Sequence, residues 1–332
     1  MKDKLLSDVS MWRLWGRWVF SVFGNAPWNY YSTTEVFKEM NLPKGFTGNA
    51  INIDGYVYAL ESDHKLFDVF IVDKFYNDLS WFDNFFNICE KSLKKALKSK
   101  DINGLMEGYS DIACCSMIIH FCDKSLEKEM PKLSLKAGID SNSFFKLLVP
   151  YKPTYIMQYK IDLKTLKDNN VDEFLKKYQW IGANYMTGKR LSKQEILNDK
   201  KKLEIESLPK ITLDKLDRIT RKEIEIFQKL IYYRSINAET INKSVNNAWE
   251  NLEELARKYG KTRDDLTILT PLEIIDLFNG KSFPKDFPSR TERNGISCIN
   301  GKFALYFNKE LDEKLKIFQP KVLYIYIITT KN

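Results

Sequence analysis

The chain has 332 residues, 44% hydrophobic and 29% charged, and its 52 Lys and Arg against 44 Asp and Glu leave a net charge of +8. That length exceeds what one core organises, and the composition excludes a disordered or fibrous chain, so more than one subdomain is expected. No apolar run approaches the roughly 18 residues of a spanning helix; five cysteines and no signal-peptide pattern at Met1 point to free thiols, a cytoplasmic setting and no membrane segment.

Val9 to Phe23 is the first helical candidate, because Trp12, Trp15, Val19 and Val22 fall along one stripe. Its aromatic part could lie on a membrane surface, but core packing is the favoured use of the tryptophans. Asn52 to Glu61 alternates around Asp54-Gly55, a strong hairpin signal. Helical periodicity returns from Phe67 to Lys98 and again from Gly104 to Met130, with a break at Pro131 and Gly138. The lysine-rich run 91–100 interleaves with Leu and Ala at helical spacing, which favours a solvated helix face over nucleic-acid binding. "SNSFFKLLVPYKP" (141–153) predicts a short helix entering a loop, and residues 155–205 hold two or three short helices, one capped by Asp172.

The most regular element follows. Positions 224, 227, 231, 234, 238, 241, 245, 248, 252, 255 and 259 alternate steps of three and four, predicting one long helix over about 221–259 with a heptad-like seam. Arg234 is the one residue in that seam unsuited to a dry core. Tyr259-Gly260 ends the helix, Thr262 and Asp265 pair reciprocally, and Thr270-Pro271-Leu272-Glu273 opens a short helix that Asn279-Gly280 stops. Residues 296–307 form a second hairpin around Asn300-Gly301, and Val322 to Ile328 reads as a fully apolar strand with an aggregation-prone edge.

The predicted class is mainly α with small β-hairpins, an α+β chain whose multi-helix domain is built on one long heptad-patterned helix. Its expected divisions are a helical subdomain over 1–150 with the hairpin near 51–60, a helical subdomain over 151–282, and a hairpin with terminal strand over 283–332.

Catalytic signals are few. Asn279-Gly280-Lys281-Ser282 lacks the upstream glycine of a phosphate-binding loop and follows a helix, not a strand. Cys114, Cys115, His120 and Cys122 fall at several angles around one helix without paired Cys-x-x-Cys spacing, so buried thiols are expected and no metal or cofactor is assigned. Of the two histidines, His120 reads as a core residue and His64 as an exposed turn residue.

Residues 255–280 resemble a segment recurrent in phosphoenolpyruvate-utilising enzymes, namely phosphoenolpyruvate synthase, pyruvate phosphate dikinase and rifampicin phosphotransferase. "IDGYVYAL" (53–60), "FLKKYQWIGANY" (174–185), Arg234 in "LIYYRSINAE" and Arg293 in "SRTERNG" are similar to further pieces of that family in the same order. The resemblance implies the mostly helical middle region that contacts substrate in the rifampicin enzymes. It covers neither the ATP-grasp domain nor the Thr/Gly-rich phosphohistidine loop of the swivelling domain. The expectation is therefore a substrate-recognition or linker module that is not catalytically complete alone. Its expected partners are separately encoded ATP-grasp and swivelling-domain proteins, and a truncated or silent descendant is the other form this reading takes. A stand-alone, non-enzymatic helical binding protein is the alternative, and a nucleic-acid-binding protein the weaker one.

Two arginines are the candidate substrate-binding residues. Arg234 either pairs with a carboxylate of a neighbouring helix or lines a cleft, alongside Arg17, that takes an anionic small-molecule ligand.

Overall fold

The computed structural model describes residues 2–99, 101–203 and 216–318. The described residues are mainly helical, with one small antiparallel sheet. The strands are β1 (Trp12–Arg17), β2 (Ala50–Ile53), β3 (Tyr56–Leu60), β4 (Gly295–Ile299) and β5 (Lys302–Tyr306), in the order β1-β3-β2-β4-β5. The helices of the first half are α1 (Lys2–Ser7), α2 (Val22–Asn29), α3 (Glu35–Glu39), α4 (Glu61–Asn77), α5 (Ser80–Lys98), α6 (Ile102–Leu126), α7 (Met130–Lys136) and α8 (Ser141–Leu147). Those of the second half are α9 (Tyr155–Lys164), α10 (Val171–Tyr178), α11 (Lys193–Lys202), α12 (Arg218–Asn247), α13 (Trp249–Lys258), α14 (Pro271–Phe278) and α15 (Asn308–Phe318).

Both hairpins form where their turns demand it. Asp54 and Gly55 (φ 51° and 85°) and Asn300 and Gly301 (φ 50° and 71°) occupy the left-handed pairs that a two-residue turn requires. They are not separate ribbons, however. Ala50–Ile53 pairs with Gly295–Cys298, so residues of the last segment complete a sheet begun by the first. A two-stranded ribbon is marginal alone, and this joining gives both hairpins a common buried face. One face carries Ala50 and Ala59 against the main helical core. The other carries Ile51, Ile53, Tyr58 and Leu60 against Leu311 and Phe318 of α15 and Leu5 of α1.

The expected first helix is a correction. Residues 12–17 are the edge strand β1, paired with β3, and the helix starts only at Val22, capped by the Ser21 hydroxyl. Trp and Leu suit a pleated surface, Gly16 weakens a helix, and the open edge of β3 supplies the partner. The long helix is the second correction. It is broken at Ala248 into α12 and α13. At that point Arg190 donates to the Asn246 carbonyl (3.0 Å) and to its side-chain oxygen (2.8 Å). The buried stripe of α12 is also wider than the predicted seam. Ile224, Phe227, Ile241 and Val245 are buried, but Leu230, Tyr233, Asn237 and Thr240 replace Ile231, Arg234 and Ala238 in the centre. Asp172 is not a cap. It lies inside α10 and pairs with Lys193 (2.5 Å).

The punctuation around residues 259–280 agrees with expectation. Gly260 and Gly280 have φ of 66° and 87°. Thr262 and Asp265 exchange bonds reciprocally, as do Thr270 and Glu273. Arg290, 8% exposed, fastens α14 to the following loop through both oxygens of Glu273 (2.8 and 2.6 Å) and of Asp286 (3.1 and 3.0 Å). The predicted strand over 322–328 lies outside the described residues.

Candidate functional site

The site begins with an irregularity in β1. The register with β3 slips between Leu14 and Gly16, so Trp15 is the extra residue of a β-bulge. A bulge re-aims side chains. Trp12, Leu14 and Arg17 sit opposite Leu60, Tyr58 and Tyr56 on one face, while Trp15 turns to the other, against the helical core. Immediately after the strand the Trp18 amide donates to the Gly55 carbonyl (2.6 Å). Gly55 is needed twice over, for its positive φ and because a Cβ there would lie 2.9 Å from Val19 and 3.2 Å from the Trp18 carbonyl.

Trp15 and Trp18 meet the chain's two histidines. Trp15 stands edge-on to His64 of α4 (5.3 Å between ring centroids) and to His120 of α6 (6.2 Å), and contacts Phe121 at 4.4 Å. Trp18 lies 5.2 Å from His120, and Trp28 of α2 closes the group at 6.1 Å from both Trp18 and His120. The three indoles are only partly buried, so this aromatic group reaches the surface. His64 was expected in an exposed turn. It is instead on a helix, 2% exposed, with Nε2 lacking a hydrogen-bond partner. Burial lowers its pKa to about 4, helped by the charge of Arg13 and opposed by Asp68 and Glu61. His120 is likewise lowered to about 4 by burial, then by Arg234 and Lys124. Both imidazoles are therefore neutral at pH 7.

Arg234 stands at the rim. Its side chain is 50% exposed, and NH1 is 3.3 Å from Asp123 Oδ2 of α6, so it is paired with a neighbouring helix as one of the two readings required. Burial raises the Asp123 carboxyl to about 6 despite the pull of Arg234. Arg17 is elsewhere. It is exposed and lies over the Tyr56 ring (5.2 Å), on the sheet face opposite Trp15. The structure thus does not join the two arginines in one cleft. Arg293, the other basic residue of the resemblance, bridges Asp54 (3.2 Å) and Asp312 (3.0 Å) and ties a hairpin turn to α15.

Two turns of α12 beyond Arg234, Asn242 accepts the Tyr185 amide (2.8 Å). Asn184, Tyr185 and Met186 are three consecutive residues with positive φ (39°, 50° and 73°). Such conformations cost about 1 kcal/mol or more each and persist only where surroundings impose them. Here the closure is imposed by Gly182 and Gly188, since a Cβ on Gly188 would lie 1.9 Å from the Gly182 carbonyl oxygen. The Tyr185 ring packs against Phe20 (5.1 Å) and Tyr109 (6.3 Å).

Sequence reasoning singles out Arg234 but not the indoles and imidazoles beside it. A helix read over residues 9–23 concealed the bulge that aims Trp15, and His64 and His120 lie on separate helices. Among the described residues no group of three or more His, Cys, Asp or Glu side chains is placed to hold a metal ion, and the five cysteines are buried and free. No described helix is long and apolar enough to cross a membrane. Comparison with protein-family models found no match, and comparisons with curated proteins and with solved structures found none either.

Proposed function

We propose that this chain is a substrate-recognition module similar to the central region of phosphoenolpyruvate-synthase-like phosphotransferases, and that it binds an anionic small molecule at the aromatic surface around His120. The observation that carries the reading is the convergence of three partly exposed indoles and a neutral imidazole beside the half-exposed Arg234. Rings present flat apolar area to a ligand body, and a guanidinium presents paired donors to a carboxylate or phosphate. Arg234 is already held by one carboxylate, so a ligand anion would share or displace Asp123, whose raised pKa makes its charge easy to lose.

In this reading phosphoryl chemistry comes from partners. Transfer requires bound phosphates, a metal and an acceptor in line, and separately encoded ATP-grasp and swivelling-domain proteins would supply them in the cytoplasm. A stand-alone binding protein is the second reading. It is favoured by both histidines lying on helices among aromatic rings, not on an exposed glycine-rich loop. Mixing the purified chain with those partner proteins and labelled ATP separates the two. The module reading expects label on the swivelling protein and an acceptor turned over only when this chain is present. Unchanged turnover without the chain supports the stand-alone reading. Label transferred to His64 or His120 of the isolated chain overturns both.

A further inference from the structure

A cleft of about 640 Å³ opens on another side of the molecule, between α3, α5, α6 and α14. Its volume is that of a small-ligand site. Val36, Ile88, Leu272 and Ile275 give it apolar walls; Glu35 is paired with Lys38 (2.6 Å), which leaves the carboxylates of Glu39, Glu107 and Asp111 against the two ammonium groups of Lys91 and Lys95. In a chain of net charge +8 this is a local excess of negative charge.

The neutral groups of the lining point the same way, once their protons are assigned. The Thr33 hydroxyl donates to the Tyr30 carbonyl (2.8 Å) and the Thr34 hydroxyl to the Tyr31 carbonyl (2.9 Å). Ser92 donates to the Ile88 carbonyl (3.0 Å) and Ser110 to the Met106 carbonyl (2.9 Å). A hydroxyl has one proton. Ser110 has spent its own, so in its 3.0 Å contact with Tyr30 the phenol is the donor. Every hydroxyl on the lining has thus committed its hydrogen, and what these groups have left to offer is lone pairs. Lys95 is committed too, to Asp111 (2.8 Å) and Glu107 (3.3 Å) together. Asp111, 13% exposed, is the deepest of the acids.

We infer that this cleft binds an amphipathic amine, a ligand with a protonated ammonium group on a hydrocarbon body. The ammonium, with donors and no acceptor, shares the carboxylate oxygens of Asp111 and Glu107 with Lys95, and the body lies along Val36, Ile88, Leu272 and Ile275. The inference is independent of the aromatic surface, which takes the opposite charge.

Calorimetric titration of the whole chain with hexylamine, 1,6-diaminohexane and 1-hexanol tests it. Hexylamine is expected to bind at least about tenfold more tightly than hexanol, a difference of about 1.4 kcal/mol. Asp111→Asn is expected to lower amine affinity by a similar factor and leave the weak hexanol affinity alone. Glu107 is 59% exposed, so Glu107→Gln provides a second variant whose folding is not at stake; it is expected to weaken hexylamine several-fold. No amine binding at millimolar concentration, equal binding of amine and alcohol, or amine affinity unchanged in Glu107→Gln and in folded Asp111→Asn each overturns the inference.

Discussion

Acidification should strike the aromatic group first through His64. In an unfolded chain this imidazole titrates near 6.5, whereas burial against Trp15 and Phe121 holds it at about 4. A folded pKa below the unfolded one means that the contribution to stability is complete above about pH 6.5 and is lost as pH falls through about 4. At about 1.4 kcal/mol per pKa unit the full contribution is about 3 kcal/mol, of which about 2 kcal/mol disappears between pH 7 and about pH 4.5. Carboxylates titrate over part of the same range, so the informative quantity is a difference between two proteins. His64→Phe keeps an aromatic ring beside Trp15 and Phe121 and has no proton to gain. Urea unfolding of both chains at each pH should show the wild type losing about 2 kcal/mol more than the variant. His120→Phe should show a loss avoided in the same direction, because burial depresses that imidazole as well. Parallel stability–pH curves for wild type and His64→Phe would refute the reasoning, since a solvated His64 would carry no such linkage.

Three other substitutions address the fold. Arg290→Met removes a nearly buried guanidinium and strands Glu273, which is 24% exposed; urea unfolding should show a loss of about 3 kcal/mol, and a loss under about 1 kcal/mol would mean that the pair is solvated. Gly188→Ala would press a methyl group to 1.9 Å from the Gly182 carbonyl oxygen and should cost about 2–3 kcal/mol in a denaturant titration. Gly138→Ala, with open space but φ of +65°, should cost only about 1 kcal/mol by the same assay, and equal costs would contradict the steric account of the 182–188 turn.

What could be read from sequence was local. Asp54-Gly55 and Asn300-Gly301 announce their hairpins because only a few residue types accept two left-handed positions in a row, and Thr270 with Glu273 announces a helix start because a hydroxyl and a carboxylate three residues apart can cap each other. What escaped was long-range. Nothing near Ala50 says that Cys298 will pair with it, and nothing in the spacing of Trp12 and Trp15 distinguishes a helix stripe from a bulged edge strand. Arg234 was found as a misfit in a periodic pattern. Its half-exposed setting depends on the actual phase of α12, which turns Tyr233 and Asn237 inward instead. His64 was misjudged for a related reason: a histidine among charged residues reads as exposed until its helix is seen to pack on Phe121.

The claim on which the functional account depends is that an anion binds the aromatic surface through Arg234. Indole N–H resonances of Trp15, Trp18 and Trp28, followed by NMR while phosphoenolpyruvate, pyruvate and inorganic phosphate are titrated in turn, measure this directly. The account predicts saturable shifts confined to Trp18, Trp28 and Trp15 for at least one of these anions. It also predicts their loss in Arg234→Met, whose stability should fall by less than about 1 kcal/mol because the Asp123 pair is half-exposed. Indole signals that none of the three anions moves, or shifts that persist undiminished in folded Arg234→Met, would contradict it.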